Sequence, residues 1–181
     1  MVKVEVKGMS QLKAKLDKLP KVIEDAVWDA NYTIAETVRS NTVREIQSTT
    51  KVGTGEIAND YKAEVSRNRN GRISAFVWGN PVAMAREFGT GQVGQASPKQ
   101  YVPKNMTLIY HQIPWFIPAE EAPDLNALYG MPLVKIKGKK FYRTTGQPAR
   151  QALLPAVELV KKQVPKIYKA NVKKQLKSLG G

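Results

Sequence analysis

The spacing of apolar positions changes repeatedly along this chain, and each change marks an element. Val2-Lys3-Val4-Glu5-Val6 alternates with period two and reads as a short strand with one buried face, ended by Lys7-Gly8. Ser10 has the chemistry of a helix N-cap, and Leu12, Leu16 and Leu19 follow at helical spacing, so a short helix or turn is expected over 10–18. Pro20 interrupts the pattern and suits the first turn of a new helix. Ile23, Ala26, Val27, Ala30, Ile34, Val38 and Ile46 then form one stripe, which predicts a long helix from Lys21 to Gln47. Glu24, Asp25, Asp29, Glu36, Arg39 and Arg44 make its solvated back, and Trp28 is expected in the core or at its edge.

After a polar, glycine-bearing loop over 48–55, two strand-like runs follow. In the first, Glu56 to Ser66, the residues Ile57, Tyr61, Ala63 and Val65 share a face. In the second, Arg72 to Gly79, Ile73, Ala75 and Val77 face one way and Phe76 and Trp78 the other. The Asn-Gly between them signals a hairpin. Ala75 to Trp78 is apolar on both faces, so a helix is expected on one side and a partner chain on the other. Pro81 to Arg86 is a short helical or extended lead into a glycine turn.

Prolines at 98, 103, 114, 118, 123 and 132 break residues 92–145 into an irregular insertion, with Trp115-Phe116-Ile117 as its apolar knot. Leu133 to Lys137 and Lys140 to Arg143 flank Gly138 and read as a small hairpin. Helical spacing returns with Leu153, Val157, Val160, Val164, Ile167, Val172 and Leu176. Pro155 fits a first turn, whereas Pro165 kinks this helix or divides it in two. The expected fold is therefore α+β: a long N-terminal helix and a C-terminal helix packed on a small antiparallel sheet, in one domain spanning 1–181, with the insertion at 92–145.

Composition narrows the chemistry. Hydrophobic content of 42% with 24% charged residues suits a folded globular chain and argues against wholesale disorder. The absence of cysteine excludes disulfides, zinc–thiolate sites, iron–sulfur clusters and thiol nucleophiles. Met1 to Glu5 does not read as a signal peptide, because no apolar run follows the charge. No apolar run approaches the ~18 residues that span a bilayer. The net charge is +14, and residues 141–181 supply +8 of it, with nine basic residues and one acidic one. Lys161, Lys162, Lys166, Lys169, Lys173, Lys174 and Lys177 crowd one face of the last helix, which is either a polyanion-binding surface or a solvated face.

The catalytic inventory is thin. His111 is the only histidine, which leaves no metal-ligand spacing and favours a surface or packing role. Glu120, Glu121 and Asp124 around Pro123 read as a solvated acidic spot before a cation site. No serine sits in a nucleophile elbow. The stretch Glu87-Phe88-Gly89-Thr90-Gly91, continued to Gly94, lacks both the GxGxxG and the GxxxxGK[ST] phosphate patterns and reads as a structural turn. Phe88 is its apolar anchor. Phe88, Trp115, Phe116, Phe141 and Tyr142 are the candidates for a subunit interface, Trp115 foremost as an aromatic in an insertion.

In their order, these pieces resemble the neck, or tail-completion, proteins of long-tailed bacteriophages. The resemblance rests on the Gly8…Leu12…Leu16…Leu19-Pro20 pattern, on Glu87-Phe88-Gly89-Thr90-Gly91 and on Gly146-Gln147-Pro148-Ala149-Arg150. It covers residues 1–94 and 140–177 well and the insertion loosely, where Trp115 and Phe141-Tyr142-Arg143-Thr144-Thr145 fill family positions. Gln151-Ala152 stand where the family usually has Pro-Phe. The resemblance implies a structural virion protein at the head–tail junction, made in the bacterial cytoplasm, with no enzymatic activity and no cofactor. Such a protein forms a homo-oligomeric ring around the DNA conduit and contacts other connector and tail proteins, but no membrane. In that setting Lys161, Lys162, Lys166, Lys169, Lys173 and Lys174 are the DNA-proximal candidates. The competing class is a free-standing nucleic-acid-binding protein using the same lysine face. It is weakened by the lack of interleaved aromatics other than Tyr168 and of any helix-turn-helix, RRM or zinc pattern.

Overall fold

The computed structural model of the chain describes residues 8–49 and 55–179. The strand read at Val2 to Val6 and the centre of the polar loop after the first helix lie outside these residues. The described elements are α+β, with helices at both ends and small antiparallel sheets between them. Their contacts group into two compact units, one formed by the chain up to Trp78 and from Ala156 onward, the other by Gly79–Pro155. The sequence reads as one domain with an insertion at 92–145. The second unit is wider than that insertion because residues 86–93 and 145–150 hydrogen-bond to each other and close it off.

In the first unit, α1 runs from Met9 to Thr49, a 41-residue helix with Pro20 inside it. The expected interruption at Pro20 is absent. Proline removes one backbone bond, to the carbonyl of Leu16, at about 3 kcal/mol. Leu16 is exposed, and regular turns on both sides carry the helix through. The buried seam is Ala26, Ala30, Asn31, Ala35, Val38, Thr42 and Ile46. It is narrower than the stripe read from apolar spacing: Ile23 and Trp28 are exposed, contrary to expectation, while Asn31 and Thr42 are buried. Both polar groups are satisfied. Thr42 Oγ1 donates to the Val38 carbonyl at 2.9 Å, and Asn31 Nδ2 donates to the Val27 carbonyl at 2.9 Å and to Tyr168 Oη at 2.8 Å.

Glu56 opens a one-turn helix, α2 (Glu56–Asn59), where a strand was expected. Gly55, at φ 79°, starts it, and the amides of Asn59 and Asp60 bond back to the carbonyls of Gly55 and Glu56 at 3.0 Å. These local bonds outcompete extension until Tyr61. Strands β1 (Lys62–Arg67) and β2 (Ile73–Trp78) then pair antiparallel, Lys62 opposite Trp78 and Arg67 opposite Ile73. The turn is longer than the two-residue Asn-Gly type: Asn68 Oδ1 accepts from the amides of Asn70 and Arg72 at 3.0 and 2.9 Å. Both strands contact α1. Arg67 at the end of β1 pairs with Glu24 of α1. Phe76 and Trp78 point the other way and are 49% and 42% exposed.

The C-terminal helix is divided. Helix α6 spans Leu153–Lys161 and α7 Val164–Ser178, with Pro165 in the first turn of α7, where its missing N–H has no intrahelical partner to lose. Helix α7 packs along α1, and Gln175 Nε2 donates to Asp29 Oδ2 at 2.9 Å. Gln175 thus takes a facing position, and Leu176 is exposed.

The second unit begins with α3 (Pro81–Phe88), capped by Asn80 Oδ1, which accepts from the Ala83 amide at 2.8 Å, and with Pro81 in its first turn. A six-residue helix, α4 (Gly91–Ala96), follows. The stretch read as irregular holds a three-stranded antiparallel sheet. Strand β3 (Trp115–Pro118) pairs with β5 (Lys139–Thr144), which pairs with β4 (Leu133–Ile136), in the order β3-β5-β4. Between β3 and β4, α5 (Leu125–Tyr129) is capped by Asp124 and ended by Gly130 at φ 66°. The expected hairpin around Gly138 is therefore present, and the tryptophan of the insertion joins it, Trp115 opposite Thr144.

Candidate functional site

The turn that punctuates the sequence becomes a backbone crossing. Gly89 (φ 75°) ends α3, Thr90 is extended, and Gly91 (φ 58°) starts α4, so Gly91 and Gly94 lie in a helix and only Gly89-Thr90 is turn. Residues 145–149 run against this corner. Thr90 donates its amide to the Gln147 carbonyl at 2.9 Å, and its Oγ1 accepts from the Gln147 amide at 3.1 Å. The amide of Val93 reaches the Thr145 carbonyl at 3.4 Å. A methyl group on Gly89 would meet Gly94 Cα at 2.6 Å and the Ala149 nitrogen at 2.7 Å. On Gly91 it would strike the Thr145 carbonyl, and on Gly146 the Thr90 carbonyl. The glycines are there because two backbones touch.

Glu87, read from sequence as part of the turn, is the last-turn carboxylate of α3 and is 2% exposed. Its Oε2 accepts from the amides of Ala152 and Leu153 at 2.8 and 3.0 Å, and its Oε1 from Leu154 at 2.9 Å. It therefore caps α6 from another element, satisfying donors that no intrahelical carbonyl reaches and placing negative charge at the positive end of that helix. The Arg86 carbonyl accepts from the Arg150 amide at 2.8 Å. Ser97 Oγ accepts from the Ala149 amide at 2.8 Å.

Several members of this network carried no local signal in the sequence. Gln151, standing where the resembling family has proline, accepts at Oε1 from the Tyr101 amide (2.9 Å) and donates from Nε2 to the Tyr101 carbonyl (2.5 Å), copying a strand pair with a side chain. Tyr110 Oη donates to the Phe88 carbonyl at 3.0 Å. Gln112 Nε2 donates to Gln95 Oε1 at 2.8 Å, while the Gln112 carbonyl accepts from Gln92 Nε2 at 2.9 Å. Lys99 lies over the Tyr110 ring, 5.1 Å from its centre, and donates to the Ser97 carbonyl at 2.8 Å.

Beside the crossing is an open cleft of about 400 Å³, lined by Gly89, Thr90, Gly91, Tyr110, His111 and Trp115, with Ile109 at its lip. Ile109 is 92% exposed. His111 packs edge-on against Trp115, ring centres 5.9 Å apart. The cleft offers one imidazole and two engaged hydroxyls, those of Thr90 and Tyr110, with no base–nucleophile pair. Asp124, read as one of three loop carboxylates, accepts from the amides of Asn126 and Ala127 in α5 at 3.1 and 3.0 Å, which accounts for its position. Among the described residues no group of three or more His, Asp or Glu is placed to hold a metal ion. No helix among them is long and apolar enough to cross a membrane.

The interface candidates separate. Phe88 and Tyr142 are buried within this chain, at 7% and 6% exposure, so their rings are already used inside it. Trp115 and Phe141 are half-buried, and Phe116 is exposed. The lysines of the C-terminal segment, Lys161, Lys162, Lys166, Lys169, Lys173, Lys174 and Lys177, are all exposed. Among the described residues only Lys161 of these makes an ion pair, with Glu158 at 3.5 Å.

Compared with protein-family models, curated proteins and solved structures, the chain finds no match in any of the three.

Proposed function

We propose that this chain is a structural subunit of the neck of a long-tailed bacteriophage, a head–tail joining protein that acts without catalysis and forms a ring around the DNA conduit. The supporting observation is the crossing. The two stretches that carry the family resemblance, Glu87–Gly91 and Gly146–Arg150, are its two halves. In it Glu87 caps α6, Thr90 pairs with Gln147, and Gly89, Gly91 and Gly146 admit the backbone contact. Motifs that explain each other in space belong to one design more readily than to chance.

The surfaces agree with assembly. Phe76 and Trp78 expose two aromatic rings on one face of the β1–β2 hairpin, opposite Glu64 and Lys62, and Ile109, Ile113 and Phe116 are exposed in the second unit. Open apolar surface of this kind marks a contact site. A ring subunit meets a different surface of its neighbour on each side, so it needs two such patches. In that ring the lysines of α6 and α7 lie near packaged DNA and gain from counterion release without reading sequence.

The test is sizing across a concentration series, alone and with connector and tail-tube proteins. Concentration-dependent assembly, or co-assembly with either partner, is expected. A strict monomer that joins neither defeats the reading. The uncompensated lysines favour a second reading, a free-standing nucleic-acid-binding protein, and the same series separates the two: that protein binds duplex DNA as a monomer and ignores tail components.

A further inference from the structure

We infer that the tip of the β4–β5 hairpin is a separate binding site for the phosphate backbone of duplex DNA, with Lys135, Lys137, Lys139 and Lys140 as its contacts. The site is distinct from the α6–α7 lysine face and does not depend on the neck reading.

Three observations carry it. First, Lys135 stands directly opposite Lys140 in the antiparallel register, which puts two ammonium stems on one face. Directly opposed like charges destabilise a strand pair. Second, the pair Ile136 and Lys139 closes a two-residue turn made by Lys137 and Gly138, at φ 48° and 84°. Positive φ at both central residues is the type I′ geometry, which asparagine, aspartate and glycine adopt readily. Lys137 is the one non-glycine residue with positive φ among the described residues. A lysine there carries strain of order 1 kcal/mol. Third, no ion pair neutralises these lysines among the described residues, although Asp124 lines a cavity together with Lys140. No acidic residue occurs between Asp124 and Glu158. The hairpin thus accepts strain and repulsion to hold four exposed ammonium groups at the end of a two-stranded ribbon.

A polyanion relieves both the repulsion and the missing counter-charge. Lysine is a compact point charge and a common binder of phosphate. No aromatic ring stands among the four lysines, so base stacking is not served. A two-stranded ribbon fits the major groove of B-DNA, about 12 Å wide, with phosphates along both edges. Duplex DNA is therefore favoured over an acidic polypeptide or a single strand.

The experiment uses the full chain and a fluorescent duplex of mixed sequence, with affinity measured by anisotropy over a range of salt. Wild type is compared with Lys137→Asn and with Lys135→Gln/Lys137→Asn/Lys139→Gln/Lys140→Gln. The fourfold variant is expected to lose about 3 to 4 from the slope of log affinity against log salt, and Lys137→Asn about 1. Because asparagine accepts positive φ, Lys137→Asn is expected to melt at the wild-type temperature or above it while binding DNA more weakly. A purely structural role would not separate the two readouts. A fourfold variant that binds with wild-type affinity and slope overturns the proposal. So does a wild-type chain that ignores the duplex and binds polyglutamate, which would make the occupant acidic protein. Because the duplex is free in solution, either result is independent of ring formation.

Discussion

Glu87 accepts three backbone N–H groups at 2.8–3.0 Å from a position that water scarcely reaches. Hydrogen bonds to a charged group are the stronger kind, and a buried donor left without its acceptor costs its desolvation. Glu87→Gln replaces one carboxylate oxygen with an amide that faces donors, so it is expected to destabilise by about 3 kcal/mol in urea unfolding. Gly146 makes the complementary case. At φ 119°, a Cβ there would run into the Thr90 carbonyl, which is backbone and has nowhere to move. Gly146→Ala is expected to cost more than about 4 kcal/mol or to abolish folding. Gly71→Ala, at φ 78° with nothing within 4 Å, meets only the left-handed penalty of about 1 kcal/mol. If both alanine variants show similar losses by circular dichroism melts, close approach is not what the Gly146 position demands. From sequence, Gly89, Gly91 and Gly94 read as a turn, which holds for Gly89, and Gly146 as part of the entry to the C-terminal helix. That a second segment lies against them was not legible, since a glycine advertises freedom and not the neighbour that requires it.

Between elements, prolines and side-chain amides decide what the periodicity leaves open. Pro20 and Pro165 look alike in the sequence, each set in a helical pattern. Pro165 stands at a helix start and divides α6 from α7, whereas Pro20 lies inside α1, four residues after an exposed Leu16. Gln151 is the clearest case of a side chain acting as an element. Its amide holds both backbone groups of Tyr101, fastening the start of the proline-broken stretch to the segment before α6. Gln151→Ala removes both bonds and is expected to raise hydrogen exchange at the Tyr101 amide by roughly tenfold or more, with little change in global unfolding. Unchanged protection at Tyr101 would mean that the stretch is held by other contacts. The three-stranded sheet was half legible. Its hairpin followed from Gly138 and the flanking apolar residues. The pairing of β3 with β5 did not, because a four-residue strand bounded by prolines has no period to read.

At the scale of the molecule, the chain divides into two compact units. The first unit buries a seam of small residues on α1 and leaves Phe76 and Trp78 open. The second closes on the glycine crossing and leaves Ile109 and Phe116 open. Assembly through such faces should be weakened by a polar residue at their centre. Trp78→Ser with Phe76→Ser is expected to shift the sizing profile toward smaller species while leaving the melting temperature within a few degrees, because both rings already face solvent. A large loss of stability with no change in size would assign those rings to packing instead.

The sequence by itself determined the element types over most of the chain, the amphipathic orientation of the long helix and the β1–β2 hairpin, and the placement of positive charge toward the end. These depend on neighbours within a few residues, where period and backbone permission are local properties. The tertiary structure alone decided that Glu87 caps a helix 65 residues away, that Gln151 stands in for a strand, and that the charged hairpin carries its strain at Lys137. Such pairings are set by loop closure and close approach, and hydrophobic periodicity reports that a face is covered without reporting by what.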